Sequence, residues 1–243
     1  MAYEYFYQYY DQLMDDIDYK SFLNLITKYI RVSDFLLDLG CGTGVVLVDL
    51  LKQGYQVDGL DQSEEMLLAT QNKLMEESLS TNLYLDDCAS LDISSYYNLI
   101  YSYLDVMNYL EDQSIVEQTF KGVYRALVNN GYFIFDIHNL NHVHQVFDHY
   151  YYHEDFEDFT YLWDTYIEKD TDKTKLYHQL SFFIQEKDHY LRYDEDHQQF
   201  IYPLEVYLEL LKKIGFQEIE VLSDFKPGIH EDCKKFIIIC KKY

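Results

Sequence analysis

A chain of 243 residues is long enough to bury a substantial core without disulfide or metal staples, and it suits one large domain carrying an insertion. Its 43 acidic against 19 basic residues leave a net charge of −24, spread along the chain, which repels polyanions and disfavours nucleic-acid partners, whose phosphates demand Lys and Arg. Cys41, Cys88, Cys233 and Cys240 form no CxxC pair and no zinc spacing, the start Met1-Ala2-Tyr3-Glu4-Tyr5 lacks a basic leader, and no apolar run approaches the ~20 residues that cross a bilayer. The expectation is a soluble cytoplasmic protein with reduced thiols, no metal and no membrane partner.

Taken in chain order, Tyr3 to Tyr19 places Phe6, Tyr9, Tyr10, Leu13, Met14 and Ile17 at spacings of three and four, the stripe of an amphipathic helix, and Ser21 to Ile30 repeats the pattern. From Phe35 onward apolar runs alternate with helical stretches, which predicts a mostly parallel sheet with helices on both faces. Strands are expected at Phe35 to Leu39, Tyr55 to Asp61, Leu83 to Leu85, Asn98 to Leu104 and Tyr132 to Ile137. Between them, Thr43 to Gln53 reads as an apolar helix ended by Gly54, a second helix starts at a Ser63 cap with Glu64 and Glu65 against its dipole, and Gln113 to Leu127 is a third. Asn129-Asn130-Gly131 reads as a turn.

After His138 the period changes. Thr160 to Glu168, Lys175 to Gln185 and His189 to Phe200 alternate polar and apolar residues between charged turns, the pattern of a three-stranded antiparallel meander. Pro203 opens a helix that Gly215 ends, and Phe216 to Leu222 with Phe236 to Cys240 reads as a closing hairpin. The division predicted is a helical cap over 1–32, a main domain over 33–140 and 201–243, and an inserted substrate-binding meander over 141–200.

The residues that speak of chemistry lie after the first strand. Asp38-Leu39-Gly40-Cys41-Gly42-Thr43-Gly44 is a strand end breaking into a glycine turn that opens a helix, where backbone N–H groups can approach a ligand and the helix offers its positive end. Asp61 closes the second strand about twenty residues on, where an acidic side chain can accept both hydroxyls of a ribose. The spacing is neither G-x-G-x-x-G nor a P-loop, which would need Gly-Lys-Ser/Thr. It resembles motif I of the class I S-adenosylmethionine-dependent methyltransferases, and Asp61 resembles their second-strand acid. The resemblance covers roughly residues 30 to 140 and implies a Rossmann-like, mostly parallel seven-stranded sheet and S-adenosyl-L-methionine as cofactor, with S-adenosyl-L-homocysteine as product.

Carried over residue by residue, the resemblance implies that Gly40, Cys41 and Gly42 face the methionine and ribose portions, Asp38 lies close to the cofactor's amino group, Asp61 binds the ribose hydroxyls and Gln62 flanks the adenine. Asp87 and Cys88 match the third contact, at the adenine edge. Asp105, with Asn108 and Tyr109, falls at the carboxyl end of the fourth strand, where the methionine moiety is covered, and Tyr10 in the opening helix would form a lid. A helix N-terminus lowers a thiol's pKa, but neither a second Cys nor a neighbouring His supports covalent work by Cys41.

Methyl transfer is an in-line displacement that needs an acceptor held ~3 Å from the carbon, with a general base adding ~10²- to 10⁴-fold when the acceptor carries a proton. His138 after the fifth strand is the candidate base, with Glu195 and His197 of the meander as further catalytic candidates. So acidic a chain favours a cationic or neutral small-molecule acceptor, an amine best of all, and a monomer or homodimer. The alternatives are a tRNA or rRNA methyltransferase, or a regulator that binds the cofactor without turnover.

Overall fold

The computed structural model describes residues 9–14 and 16–243, apart from the side chains of Tyr10 and Glu186. The first part of the expected opening helix, with Phe6, and the Tyr10 side chain therefore lie outside the described residues; within them stand a short helix α1 (Tyr10–Leu13) and α2 (Tyr19–Ile26), capped by Asp18. The alternating core follows as β1 (Phe35–Leu39), α3 (Val45–Lys52), β2 (Gln56–Asp61), α4 (Glu64–Glu76), β3 (Leu83–Leu85), β4 (Tyr97–Ser102), α5 (Gln113–Ala126) and β5 (Leu127–His138). Ser63 caps α4 as its sequence predicts, its Oγ accepting the Met66 N–H at 3.2 Å, and Asp112 caps α5 through the amides of Ser114 and Ile115.

β5 begins earlier than expected, because Asn129-Asn130-Gly131 is a bulge inside the strand and not a turn before it. Its pairing with β4 jumps from Tyr97 opposite Leu127 to Leu99 opposite Tyr132, Asn130 adopts a left-handed φ of 66°, and the Asn130 amide finds the Lys242 carbonyl at 2.7 Å. After β5 come two elements the sequence pattern did not reveal, α6 (Leu140–Val146), capped by Asn139, and β6 (Tyr151–Asp155). β6 joins β7 (Phe159–Lys169), β8 (Thr174–Glu186) and β9 (His189–Ile201) in an antiparallel sheet of four strands, where three were expected. All five β6 residues are exposed, so no apolar alternation marks it. The chain then forms α7 (Leu204–Ile214), β10 (Gln217–Ser223), the two-residue β11 (Lys226–Pro227) and β12 (Lys235–Lys241).

The main sheet runs β11-β10-β12-β5-β4-β1-β2-β3, with β1 to β5 mutually parallel, β12 antiparallel to β5, and β10 antiparallel to β12. This is the expected Rossmann-like sheet of seven strands, extended at one edge by the β11 stub. Strand order reverses between β1 and β4, so the carboxyl ends of those strands diverge there into a crevice. α2 and α3 cover one face; α5 and α7 cover the other around Phe120, whose ring lies 5.7 Å from Phe133 and 5.2 Å from Phe135. Phe120 is fully buried, so Phe120→Ala should cost about 3–5 kcal/mol of folding free energy, measurable by urea unfolding; a loss below ~1 kcal/mol would contradict this packing.

Candidate functional site

At the crevice the chain leaves β1 through three left-handed glycines, Gly40 (φ 81°), Gly42 (φ 53°) and Gly44 (φ 77°). A Cβ on Gly40 would stand 2.6 Å from the Val106 methyls, and one on Gly44 2.6 Å from the Thr70 methyl, so both are glycine by conformation and by space. A Cβ on Gly42 would meet nothing within 4 Å: room is left there on the ligand side of the turn.

The amides of this turn do not face outward as the sequence reading supposed. Gly40 and Cys41 both donate to the Leu60 carbonyl at 2.8 and 3.0 Å, and Gly42 donates to Asp61 Oδ2 at 2.8 Å. Thr70 adds a 2.7 Å bond from its hydroxyl to the Gly42 carbonyl. The turn is thus tied to the end of β2, and what it offers a ligand is shape and the Asp61 carboxylate, not three free donors. Asp61 Oδ1 takes the Ser63 amide at 2.9 Å; each oxygen keeps a second lone pair for an incoming hydroxyl.

A cavity of about 330 Å³ opens over the turn. Asp38, Gly40, Cys41, Gly42, Asp61, Gln62, Asp87 and Cys88 line it, joined by Tyr19, Met66, Tyr103, Leu104, Val106 and Tyr109. Eight of the ten residues anticipated for the cofactor therefore share one wall system; the other two are Tyr10, whose side chain is outside the described residues, and Asp105.

The electrostatics of the cavity are those of a receptor for a cation. Asp38 is buried and accepts the Tyr101 hydroxyl at 2.9 Å; burial pushes its pKa up to about 8 against that hydrogen bond, with the nearby Asp61 charge adding to the rise. Asp61 is also raised, by burial, despite the amides of Ser63, Gly42 and Gln62. Among the described residues no Lys or Arg pairs with either carboxylate. A nucleoside sulfonium with an amino group and a ribose diol fits this donor set: the diol would meet Asp61, the cationic end would meet Asp38, and the open space at Gly42 would admit the ligand. Burial holds the Cys41 thiol well above its ordinary value and the Cys88 thiol up at about 12, so neither is a nucleophile. Asp87 is exposed and caps a 3-10 turn through the Ala89 amide at 2.8 Å, beside the cavity rim.

Asp105 turns away from the cavity. Leu104 and Asp105 are both left-handed, at φ 67° and 66°, and this brings Asp105 Oδ2 to 3.1 Å from His138 Nε2 and 3.0 Å from Lys235 Nζ. Its carboxylate is therefore engaged by an imidazole and an ammonium and not, as the motif implied, by the methionine moiety. His138 is buried at the end of β5, its Nδ1 without a hydrogen-bond partner among the described residues. Lys235, at the start of β12, went unnoticed in the sequence; it is the register of β12 on β5 that sets Lys235 directly across from His138.

Glu195 and His197 face each other on β9, Oε2 to Nε2 at 3.3 Å, both buried. Beside them, Trp163 donates its indole N–H to His178 Nδ1 at 3.1 Å, which fixes the tautomer so that His178 Nε2–H meets the Gln199 amide oxygen at 3.3 Å. Burial keeps that imidazole neutral, its pKa lowered to about 4. This polar belt lies between an apolar layer containing Tyr161, Leu180 and Phe182 and another containing Leu176 and Ile201. Neither His138 nor the Glu195–His197 pair lines the cavity. At the other side of the turn, Asp11 of α1 accepts the Thr43 hydroxyl at 2.6 Å and pairs with Lys73.

Residues 36–131 match a family described as "Methyltransferase domain". YqeM of Bacillus subtilis (strain 168), which carries a methyltransferase name, is 33% identical over 93% of this chain and 90% of its own. A solved S-adenosylmethionine-dependent methyltransferase from Clostridium acetobutylicum ATCC 824 superposes with a TM-score of 0.85 at 27% identity, covering 96% of both chains. The sugar N-methyltransferase KedS8 from Streptoalloteichus shares the fold, with a TM-score of 0.77 at 18% identity over 100% of this chain and 94% of that one.

Because the folded state raises the Asp38 pKa above its unfolded value of ~3.9, Asp38 favours folding below that value, and its contribution is lost as pH rises toward about 8. Asp38→Asn should accordingly gain stability relative to the parent protein between pH 4 and pH 9 in denaturant titrations. A stability difference that does not change with pH, or that moves in favour of the parent protein as pH rises, would show that Asp38 is ionised throughout.

Proposed function

We propose that this chain, which belongs to the class I S-adenosylmethionine-dependent methyltransferases, moves a methyl group onto the nitrogen of a small amine held between the crevice and the antiparallel sheet. The observation that carries the reading is the His138–Asp105 pair, because Asp105 follows Leu104 of the cavity wall directly and places an oriented imidazole next to the cofactor's chamber.

When bound, S-adenosyl-L-methionine supplies an electrophilic methyl on a sulfonium. Asp61 would hold its ribose hydroxyls, Asp38 its amino group, and Gln62 and Asp87 would flank its adenine, while Gly42 leaves the space it enters. Asp105 fixes the His138 tautomer through Nε2, leaving Nδ1 to take the proton an ammonium acceptor must shed before its lone pair can attack. Asp105 then stabilises the imidazolium. The Glu195–His197 pair and the neutral His178, on the opposite sheet, supply hydrogen-bonding groups and the Trp163 ring a stacking surface for the acceptor. The acidic surface concentrates cationic acceptors by long-range attraction. An amine acceptor is in keeping with the activity named for KedS8, although that likeness speaks for the fold alone.

Isothermal titration with S-adenosyl-L-methionine should show binding that Asp61→Ala weakens by about 1–3 kcal/mol as the diol contacts are lost; no heat at millimolar ligand would remove the cofactor assignment. With a panel of small amines and labelled methyl donor, His138→Gln should slow transfer by about 10²- to 10⁴-fold near neutral pH, and an unchanged rate would exclude His138 as the base.

A further inference from the structure

Lys235 occupies a place no motif announces. Its ammonium lies 3.0 Å from Asp105 Oδ2 and 3.2 Å from Asp136 Oδ2, with the Tyr103 ring centre 6.0 Å away. Asp136 itself accepts the Asp105 amide at 3.1 Å, so the two carboxylates and the ammonium form one compact unit under the left-handed pair Leu104-Asp105. Asp136 is almost wholly buried, and the Lys235 side chain is 24% exposed. Burial opposes an ammonium here, yet Asp105 and Asp136 more than compensate and hold Lys235 protonated well above its ordinary range. Burial likewise opposes the Asp105 carboxylate, and His138 with Lys235 outweighs it, keeping Asp105 ionised.

The geometry points to Lys235 as a positioning residue for methyl transfer: it shares Asp105 Oδ2 with His138, holds the strained turn in place, and divides the pull of Asp105 between two cations. This role rests on the reading of His138 as base. The Lys235 ammonium offsets the Asp105 carboxylate, while burial first, and Asp105 in part, raises the pKa of Asp136 against the pull of Lys235. Without Lys235 the undivided charge of Asp105 would fall on the His138 ring and favour its imidazolium form. The other groups about His138 are Asp136 on its own strand, His142 of α6 and His178 of β8, with the Phe147 ring edge-on at 5.8 Å. Neither histidine supplies the charge that Lys235 does, since burial first, and His138 itself in part, lowers the pKa of both. The same turn carries Leu104 and Val106 into the cavity wall, so Lys235 stands under both halves of the site.

The test is a histidine ring NMR titration of the full chain without added ligand, His138 being assigned by its disappearance in His138→Gln. Lys235→Met should raise the His138 midpoint by about one pH unit relative to the parent protein, and Lys235→Arg should restore it. Thermal melting in parallel identifies a variant that fails to fold, in which case Lys235→Gln replaces Lys235→Met. A midpoint that stays put or falls in a folded, charge-removing variant overturns the role of Lys235 whatever becomes of His138. A midpoint that rises in a protein whose His138→Gln variant methylates amines at the parent rate overturns the base reading on which that role depends.

Discussion

The end of β2 closes the glycine turn, and the rest of the site is arranged around that closure. Three consecutive amides, of Gly40, Cys41 and Gly42, would otherwise be left without partners at the floor of a cavity; the Leu60 carbonyl takes two and the Asp61 carboxylate the third. Leu39 and Leu60 are register partners in the parallel pair β1 and β2, so the turn departs at a height the sheet sets. Asp61 is consequently part of the scaffold before it meets any ribose, and its orientation is settled in advance, which lowers the ordering cost of binding.

The two sides of the site handle charge in opposite ways. Toward the cofactor, Asp38 and Asp61 are buried without a basic partner among the described residues, and both are held above the ordinary carboxylate range, chiefly by desolvation. A cationic ligand would relieve a penalty the protein already carries. Beneath the Leu104-Asp105 turn, Asp105 and Asp136 are instead bridged by Lys235, which spares the fold an uncompensated pair of buried anions. The first arrangement leaves its carboxylates open to a cation and the second supplies one from the chain itself.

What could be read in advance was whatever local pattern determines. Buried parallel strands declare themselves as apolar runs, the Ser63 cap as a hydroxyl before two glutamates, and much of the cavity wall as a contiguous motif plus one acid at a fixed remove. What escaped depends on partners remote in the chain. β6 is defined by its ladder to β7 and not by apolar alternation, and Asn129-Asn130-Gly131, with good turn residues, is absorbed into β5 because the Lys242 carbonyl meets its amide. The direction of the Gly40 to Gly42 amides depends on β2, and the Asp105 side chain is swung toward β12 by two consecutive left-handed residues, neither of them glycine. Lys235 is 130 positions from Asp105, beyond the reach of any short motif.

The segment bearing Asp11 joins two surfaces that the sheets keep apart. At one end Asp11 holds Thr43 of the glycine turn and Lys73 of α4; at the other the Tyr9 ring lies 4.3 Å from Phe159 and 6.4 Å from Phe182 of the antiparallel sheet. Lifting this segment from the rim means undoing an ionic catch and an aromatic one together. Added salt screens the first while leaving the second nearly untouched, whereas cooling weakens the apolar contact and spares the ionic one. Ionic strength and temperature therefore act separately on the two ends of one short stretch of chain.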